Sequence, residues 1–211
     1  MNFKDSSNRT IIMLFIFGST LILMRFIFTG VSAYFFLWYN LFLGSISLII
    51  SHYILKHDSW VNNHFKFISL SVLWLLFLPN APYITTDLLH VSDSQHRFVW
   101  FDILMIFSFA VCGMYFGLVS VKQMADIILQ KTNPFLQHLF ISLSLFASAF
   151  GVYLGRYHRY NSWDLIHHPN VLIQDITERF MNPFDHPRTW GMTLLMGVFL
   201  HIFYFGLRPK T

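Results

Sequence analysis

Two prolines three residues apart, Pro79 and Pro82, interrupt an apolar run that starts at Phe67 and continues to about Val91, within the block Leu78-Pro79-Asn80-Ala81-Pro82-Tyr83. Proline donates no backbone N–H, crowds the turn before it and disfavours helix at the residue it follows. An undisturbed helix therefore cannot pass through this block. The uninterrupted part, Phe67 to Leu78, has 12 residues, a helical length of about 18 Å. A bilayer's hydrocarbon core is about 30 Å thick, so a kink or a discontinuity is expected inside the membrane.

Lipid is the main solvent of this chain. Only 11% of its residues are charged and 55% are hydrophobic, whereas soluble domains carry about 25% charged residues. Six runs approach the roughly 20 apolar residues that a spanning helix needs: residues 10–28, 33–55, 67–91, 98–121, 135–154 and 190–207. Each is a helix, because lipid offers no partner to an open strand edge. No polar stretch is long enough for a second core, so residues 1–211 are expected to form one polytopic membrane domain. The first run is too long for a signal h-region and lacks a small-residue cleavage site, so it is expected to be retained. The single cysteine, Cys112, lies in an apolar segment and excludes a disulfide framework or a cysteine zinc site. Gly113 and Gly117, and Gly151 and Gly155, have the spacing that lets membrane helices approach closely.

Cations set the expected orientation. With a cytoplasmic N-terminus, the inner side holds Lys4, Arg9, Lys56, Lys66, Lys122, Lys131, Arg208 and Lys210 against Asp5, Asp58 and Asp126. The outer side holds Arg25, Arg97, Arg156, Arg159, Arg179 and Arg188 against seven acids. Both termini are thus predicted inside. The basic balance reads as membrane topology, and no basic surface motif points to nucleic acid.

This topology gathers three polar blocks at the outer interface. On a half-helix after the break, Tyr83, Asp87 and His90 fall at i, i+4 and i+7, with Asn80 placed to cap it. The fourth span opens with Trp100-Phe101-Asp102, and the fifth closes with Gly155-Arg156-Tyr157-His158-Arg159-Tyr160-Asn161-Ser162-Trp163-Asp164. Should the fifth helix continue, Arg156 and Arg159 share a face, and two guanidiniums at that spacing suit a phosphate or a carboxylate pair. After Asp164, residues 171–181 between Pro169 and Pro183 set Leu172, Ile173, Ile176 and Phe180 against Gln174, Asp175, Thr177 and Glu178, the pattern of an interfacial helix. The expected fold is therefore an all-α integral membrane bundle of about six spans, with a broken third helix and a short amphipathic helix before the last. The eleven histidines are scattered or adjacent, as at His167-His168, without tight ligand spacing, so no metal and no cofactor is expected. Nucleophile and phosphate-loop motifs are absent from the sequence.

The blocks Leu78-Pro79-Asn80-Ala81-Pro82-Tyr83, Trp100-Phe101-Asp102 and Gly155-Arg156 with Asn161-Ser162-Trp163-Asp164 resemble those of an uncharacterised bacterial membrane protein family with a domain of unknown function. The resemblance spans nearly the whole chain. One departure is Tyr160, where the family block has tryptophan. It implies a bacterial multi-pass protein of the cell membrane and supplies no activity.

Three functions follow from the residues. The favoured one is an accessory or assembly protein whose outer polar blocks close the helix bundle. The alternative is an enzyme or binder of a lipid-linked or phosphorylated headgroup, with Asp87, Asp102 and His90 as candidate catalytic groups. Asn80, Tyr83, Arg156, Arg159, Asn161 and Asp164 would then bind its anionic ligand. The last is a small transporter using the broken third helix.

Overall fold

A computed structural model of the protein describes residues 3–30, 32–57, 63–93, 98–129, 133–167 and 169–207. Asp58, Arg97, Lys131, His168, Arg208 and Lys210 lie outside the described residues, as do the side chains of Lys4, Asp5 and Asp93. Every described element is helical. Helix α1 spans Phe3–Thr29, and a 3₁₀ turn, Ala33–Phe35, leads into α2, Phe36–Lys56. Helix α3 is His64–Phe77, and the short α4, Asn80–Tyr83, runs on as a 3₁₀ helix, Ile84–Asp93. Then follow α5 (Val99–Leu129), α6 (Pro134–Tyr157), the short α7 (Asp164–His167), α8 (Pro169–Met181), a 3₁₀ turn at Pro183–Asp185 and α9 (Pro187–Leu207).

Among the described residues, six segments are long and apolar enough to cross a membrane: Asn8–Thr29, Ala33–Lys56, His64–Val91, Val99–Ile128, Pro134–Tyr157 and Pro187–Gly206. The protein is an all-α polytopic membrane bundle, with the six spans where hydropathy places them. Helix α5 runs past the expected end at residue 121, because Met124, Ala125 and Ile127 carry its buried face onward, with Lys122 and Asp126 as an i, i+4 pair 3.9 Å apart beside them. Two helices start on side-chain caps. Asn63 accepts the Lys66 N–H ahead of α3, and Asn133 accepts the Phe135 N–H ahead of α6, where Pro134 takes a first-turn position that needs no donor.

Helix α5 is the hub, with 61% of its span buried against 22% to 39% for the other five. Met105, Ile106, Phe109 and Cys112 pack toward α1 and α2. Leu118, Val121, Met124 and Ala125 pack with Ile50, Trp74, Ile141 and Leu200 from four other helices. Helix directions show in specific bonds: Arg25 near the end of α1 reaches Asp102 at the start of α5, so these two run antiparallel, whereas Ser51 near the end of α2 donates to Gln123 near the end of α5, 2.8 Å away, so these two run parallel. One end of the bundle thereby collects Arg25, Tyr34, Asp102 and the 158–187 connection; we term it the polar end.

The proline block kinks without unravelling. Leu78 N–H still bonds Trp74 O at 2.9 Å, but Ala81 N–H bonds Leu78 O at 3.2 Å, one residue short of the α pattern. Phe77 O is left over, and the Asn80 side chain donates to it at 3.0 Å. Asn80 is thus no helix cap, contrary to expectation: its amide mends the preceding turn. Downstream, Thr85 and Thr86 bond the carbonyls three residues back, Pro82 O and Tyr83 O, each at 2.7 Å. β-Branched residues with that local bonding favour the tighter 3₁₀ geometry over ten residues, long for such a helix. A three-residue turn puts Ile84, Asp87 and His90 in one row and moves Tyr83 off it, so the expected Tyr83-Asp87-His90 stripe is reduced to its last two members.

Five glycines cradle the break. A Cβ on Gly44 of α2 would stand 3.0 Å from Ala81 Cα. On Gly113 it would stand 2.5 Å from Ala81 O, and on Gly117 3.0 Å from Ala81 Cβ. On Gly151 it would strike the Pro79 ring, and on Gly155 it would stand 3.2 Å from the Tyr83 ring. Both small-residue pairs read from the sequence therefore serve one purpose: they let the wide Pro-Asn-Ala-Pro-Tyr turn sink between α2, α5 and α6.

Candidate functional site

Three polar networks occupy the polar end. The first lies between α1, α2 and α5. Arg25 Nε donates to Asp102 Oδ1 at 3.0 Å and its Nη2 to Oδ2 at 3.4 Å, while the Tyr34 hydroxyl donates to Oδ2 at 2.7 Å. The guanidinium lies 4.4 Å from the Phe98 ring centroid. Arg25 is 5% exposed and Asp102 0%, so both charges are removed from solvent and compensated by each other.

The second network surrounds Asp87, which is 1% exposed. Asn40 of α2 donates to Asp87 Oδ2 at 2.8 Å. Arg156 Nη1 from the last turn of α6 stands 3.6 Å from Oδ1 and 3.3 Å from His90 Nε2. The 3₁₀ row makes this arrangement: Asp87 and His90 are one turn apart and meet the same guanidinium. His90 also packs edge-on to Phe36, with centroids 5.4 Å apart.

The third network anchors the 158–164 loop and α8. Arg179 is 5% exposed and donates from Nη2 to His158 Nε2 at 2.7 Å. Since Nε2 accepts, the imidazole proton resides on Nδ1, 3.6 Å from Asp175 Oδ2. Tyr160 donates to that same oxygen at 2.9 Å, Arg179 Nη1 bonds the Asp175 carbonyl, and Trp190 Nε1 donates to Arg179 O at 3.3 Å. Burial, then the adjacent Arg179 charge, holds the His158 pKa below its ordinary value, against an opposing pull from Asp175. Burial and the bond to Asp175 push the Tyr160 pKa up.

The remaining candidates are dispersed. Helix α6 ends at Tyr157, and Arg159 follows at φ +59° with its side chain exposed, so the helical Arg156/Arg159 face does not form. No glycine marks that stop, which is why the sequence did not reveal it. Asp164 Oδ2 accepts the Asn161 N–H at 2.6 Å while Asp164 N–H bonds Asn161 O at 3.0 Å, a reciprocal closure of the turn ahead of α7. Ser162 between them donates to Leu76 O at 2.9 Å and accepts from Asn80 Nδ2 at 2.9 Å, tying the loop to the break. Tyr83 packs on Gly155.

Helix α8 forms as expected, but its bundle-facing side carries Leu172, Asp175 and Arg179. Ile173 faces outward at 54% exposure, and Phe180, 59% exposed, sets one edge against Trp190 of α9 with ring centroids 4.9 Å apart. The charged pair docks inward because His158 and Tyr160 supply partners. Sequence reasoning missed Arg25, Tyr34, Asn40, Ser162 and Arg179. Arg25 and Asn40 carry a usable signal, since each is a lone polar group within an apolar span. Two cavities avoid the acids. A groove of about 470 Å³ lies between α1, α2 and α5, lined by Phe15, Ser19, Trp38, Phe42, Ser45 and Phe116. A void of about 10 Å³ touches Leu78, Pro82, Gly117 and Leu200. No group of three or more metal-ligating side chains converges among the described residues.

The family model described as "Protein of unknown function (DUF1361)" matches residues 39–203. The chain belongs to that family. The matched stretch includes Asn40, the proline break, Asp87, Asp102, Arg156 and all of α8. Arg25 and Tyr34 fall before it. No curated protein and no solved structure matches the chain.

Proposed function

We propose that this membrane protein is a non-enzymatic accessory or assembly component, whose polar blocks lock a rigid bundle. The observation that carries this reading is the pairing of its buried acids. Asp102 is held by Arg25 and Tyr34, and Asp87 by Asn40 and Arg156. General acid or base chemistry needs a carboxylate within reach of a substrate proton, whereas these two are 1% exposed or less and occupied. The Asn80–Ser162 and Asp164–Asn161 contacts have the same closed character.

The bacterial cell membrane is the proposed location, with the polar end outward and both termini cytoplasmic. The confinement of all six lysines to the opposite side supports that orientation. The test of the structural reading is thermal melting of the full chain in detergent with Asp87→Asn. A structural carboxylate gives a lower melting temperature, because Arg156 and Asn40 lose their charged acceptor. A catalytic carboxylate gives an unchanged or raised one, since active sites are built at a cost in stability. The second outcome would overturn the accessory assignment.

A further inference from the structure

The arginines of the polar end divide into two kinds. Arg25 and Arg179 are buried, and each has a carboxylate partner, Asp102 and Asp175. Arg156, Arg159 and Arg188 are placed differently. Arg156 makes its contacts through Nη1, which stands 3.6 Å from Asp87 Oδ1 and 3.3 Å from His90 Nε2, while Asn40 holds the other oxygen of that carboxylate. Its Nε and Nη2 have no partner among the described residues, and its side chain is 15% exposed. Arg159 is exposed and makes no ion pair or side-chain hydrogen bond among the described residues. It also sits at φ +59°, a conformation that residues with a Cβ adopt at a cost. Arg188, exposed on the first turn of α9, lies over the Tyr157 ring at 5.6 Å.

These three cations occupy the last turn of α6, the residue two beyond it and the facing start of α9. The apolar span of α6 ends at Tyr157, which is itself 46% exposed between Arg156 and Arg188. That is the depth at which lipid headgroups meet a spanning helix, and where aromatic side chains with a polar tip reside. Asp164 accepts the Asn161 N–H, and among the described residues neither it nor Glu178 nor Asp185 makes a salt bridge to these three arginines. Guanidinium groups present planar donor pairs that match phosphate oxygens. Donor edges left open at headgroup depth thus lack an anion that the chain itself does not provide.

We propose that Arg156, Arg159 and Arg188 form a binding site for the phosphate group of an anionic membrane lipid in the leaflet where α6 ends. The site shares Arg156 with the Asp87 pair of the accessory reading, so its test falls on Arg159 and Arg188, which belong to no buried pair.

The test uses the full chain in dodecyl maltoside, titrated with dioctanoyl phosphatidylglycerol, dioctanoyl phosphatidylcholine or inorganic phosphate, with melting temperature and dissociation constant as readouts. Phosphatidylglycerol is expected to raise the melting temperature saturably, and the other two to leave it unchanged. Arg159 and Arg188 make no bond that holds the fold, so Arg159→Gln and Arg188→Gln should melt like the wild type without lipid. Each should weaken phosphatidylglycerol binding about fivefold, and the pair together about 25-fold. Lys56→Gln at the opposite end should change nothing. Equal stabilisation by phosphatidylcholine would overturn the anionic preference. An equal effect of inorganic phosphate would overturn the lipid source, and wild-type affinity in the double variant would overturn the site.

Discussion

Asp102→Asn is the sharpest probe of what the buried charges do. The substitution keeps the shape of the side chain, so it opens no cavity, and it removes only the negative charge. In the structure that charge accepts from Arg25 Nε at 3.0 Å and from the Tyr34 hydroxyl at 2.7 Å, with Arg25 Nη2 further out at 3.4 Å. Hydrogen bonds to a charged group contribute about 1.5–3 kcal/mol each. Two good ones amount to about 3–6 kcal/mol, in line with the roughly 3–5 kcal/mol cost of leaving one member of a buried ion pair alone. Arg25, at 5% exposure, has no water to turn to. At about 2–4 °C per kcal/mol for a chain of this size, the melting temperature in detergent should fall by about 6–24 °C. Replacing the whole unit, Arg25→Met with Asp102→Leu and Tyr34→Phe, removes every buried polar member at once and should recover most of that loss. Intrinsic tryptophan fluorescence during a thermal ramp reads both variants. A single variant within about 2 °C of the wild type, or a triple variant no better than the single one, would refute the argument that this triad is structural.

Three further outcomes follow from the geometry. Gly113→Ala places a Cβ 2.5 Å from the Ala81 carbonyl oxygen and should cost at least about 1–3 kcal/mol of overpacking, whereas Gly191→Ala meets open space and should be neutral or slightly stabilising in the same melt. Asn80→Ala removes the donor to Phe77 O and to Ser162 Oγ, and should destabilise by about 1–3 kcal/mol while raising amide exchange across residues 158–163. The folded His158 pKa lies below its ordinary value, so the unfolded or undocked chain binds its proton more readily. Stability from that contact is present above the ordinary histidine pKa, about 6.5, and is lost as pH falls. Hydrogen exchange in α8 should therefore quicken between pH 7.5 and 5.5, beyond the intrinsic rate change, and the pH response should be absent in His158→Gln.

Much of the fold was legible because hydropathy alone dictates a membrane helix, and each of the six spans carries that signal along its whole length. The break at Pro79 was equally plain, since proline acts through local chemistry that needs no tertiary context. What local reasoning could not supply was rotational phase. The stripe Tyr83-Asp87-His90 assumes 3.6 residues per turn, and the threonine pair after Pro82 shortens the turn to three, which removes Tyr83 from the row. The same limit applies to α8. Its apolar residues do define one side, but the helix settles with Arg179 inward, because His158 arrives from a loop that no helical wheel contains. Pair identities were hidden for a related reason: Asp102 finds Arg25 and Asp87 finds Asn40 across sequence separations that only packing closes.

The signature blocks have a common physical logic. Inserting two prolines into a spanning helix frees backbone carbonyls inside lipid, where an unpaired polar group is expensive. Asn80 repairs Phe77 O, and Ser162 repairs Leu76 O while bonding Asn80 itself. The Asn-Ser-Trp-Asp block is thus the complement of the proline block, delivered by a loop whose own turn is closed by Asp164. Glycines at 113, 117, 151 and 155 are the other half of the same requirement, since the widened turn needs room on α5 and α6. A substitution in any one block should therefore be felt at the others. The coupling between Asn80→Ala and Ser162→Ala in a double-mutant cycle should exceed about 0.5 kcal/mol, whereas additive losses would show that the two blocks stabilise the bundle independently.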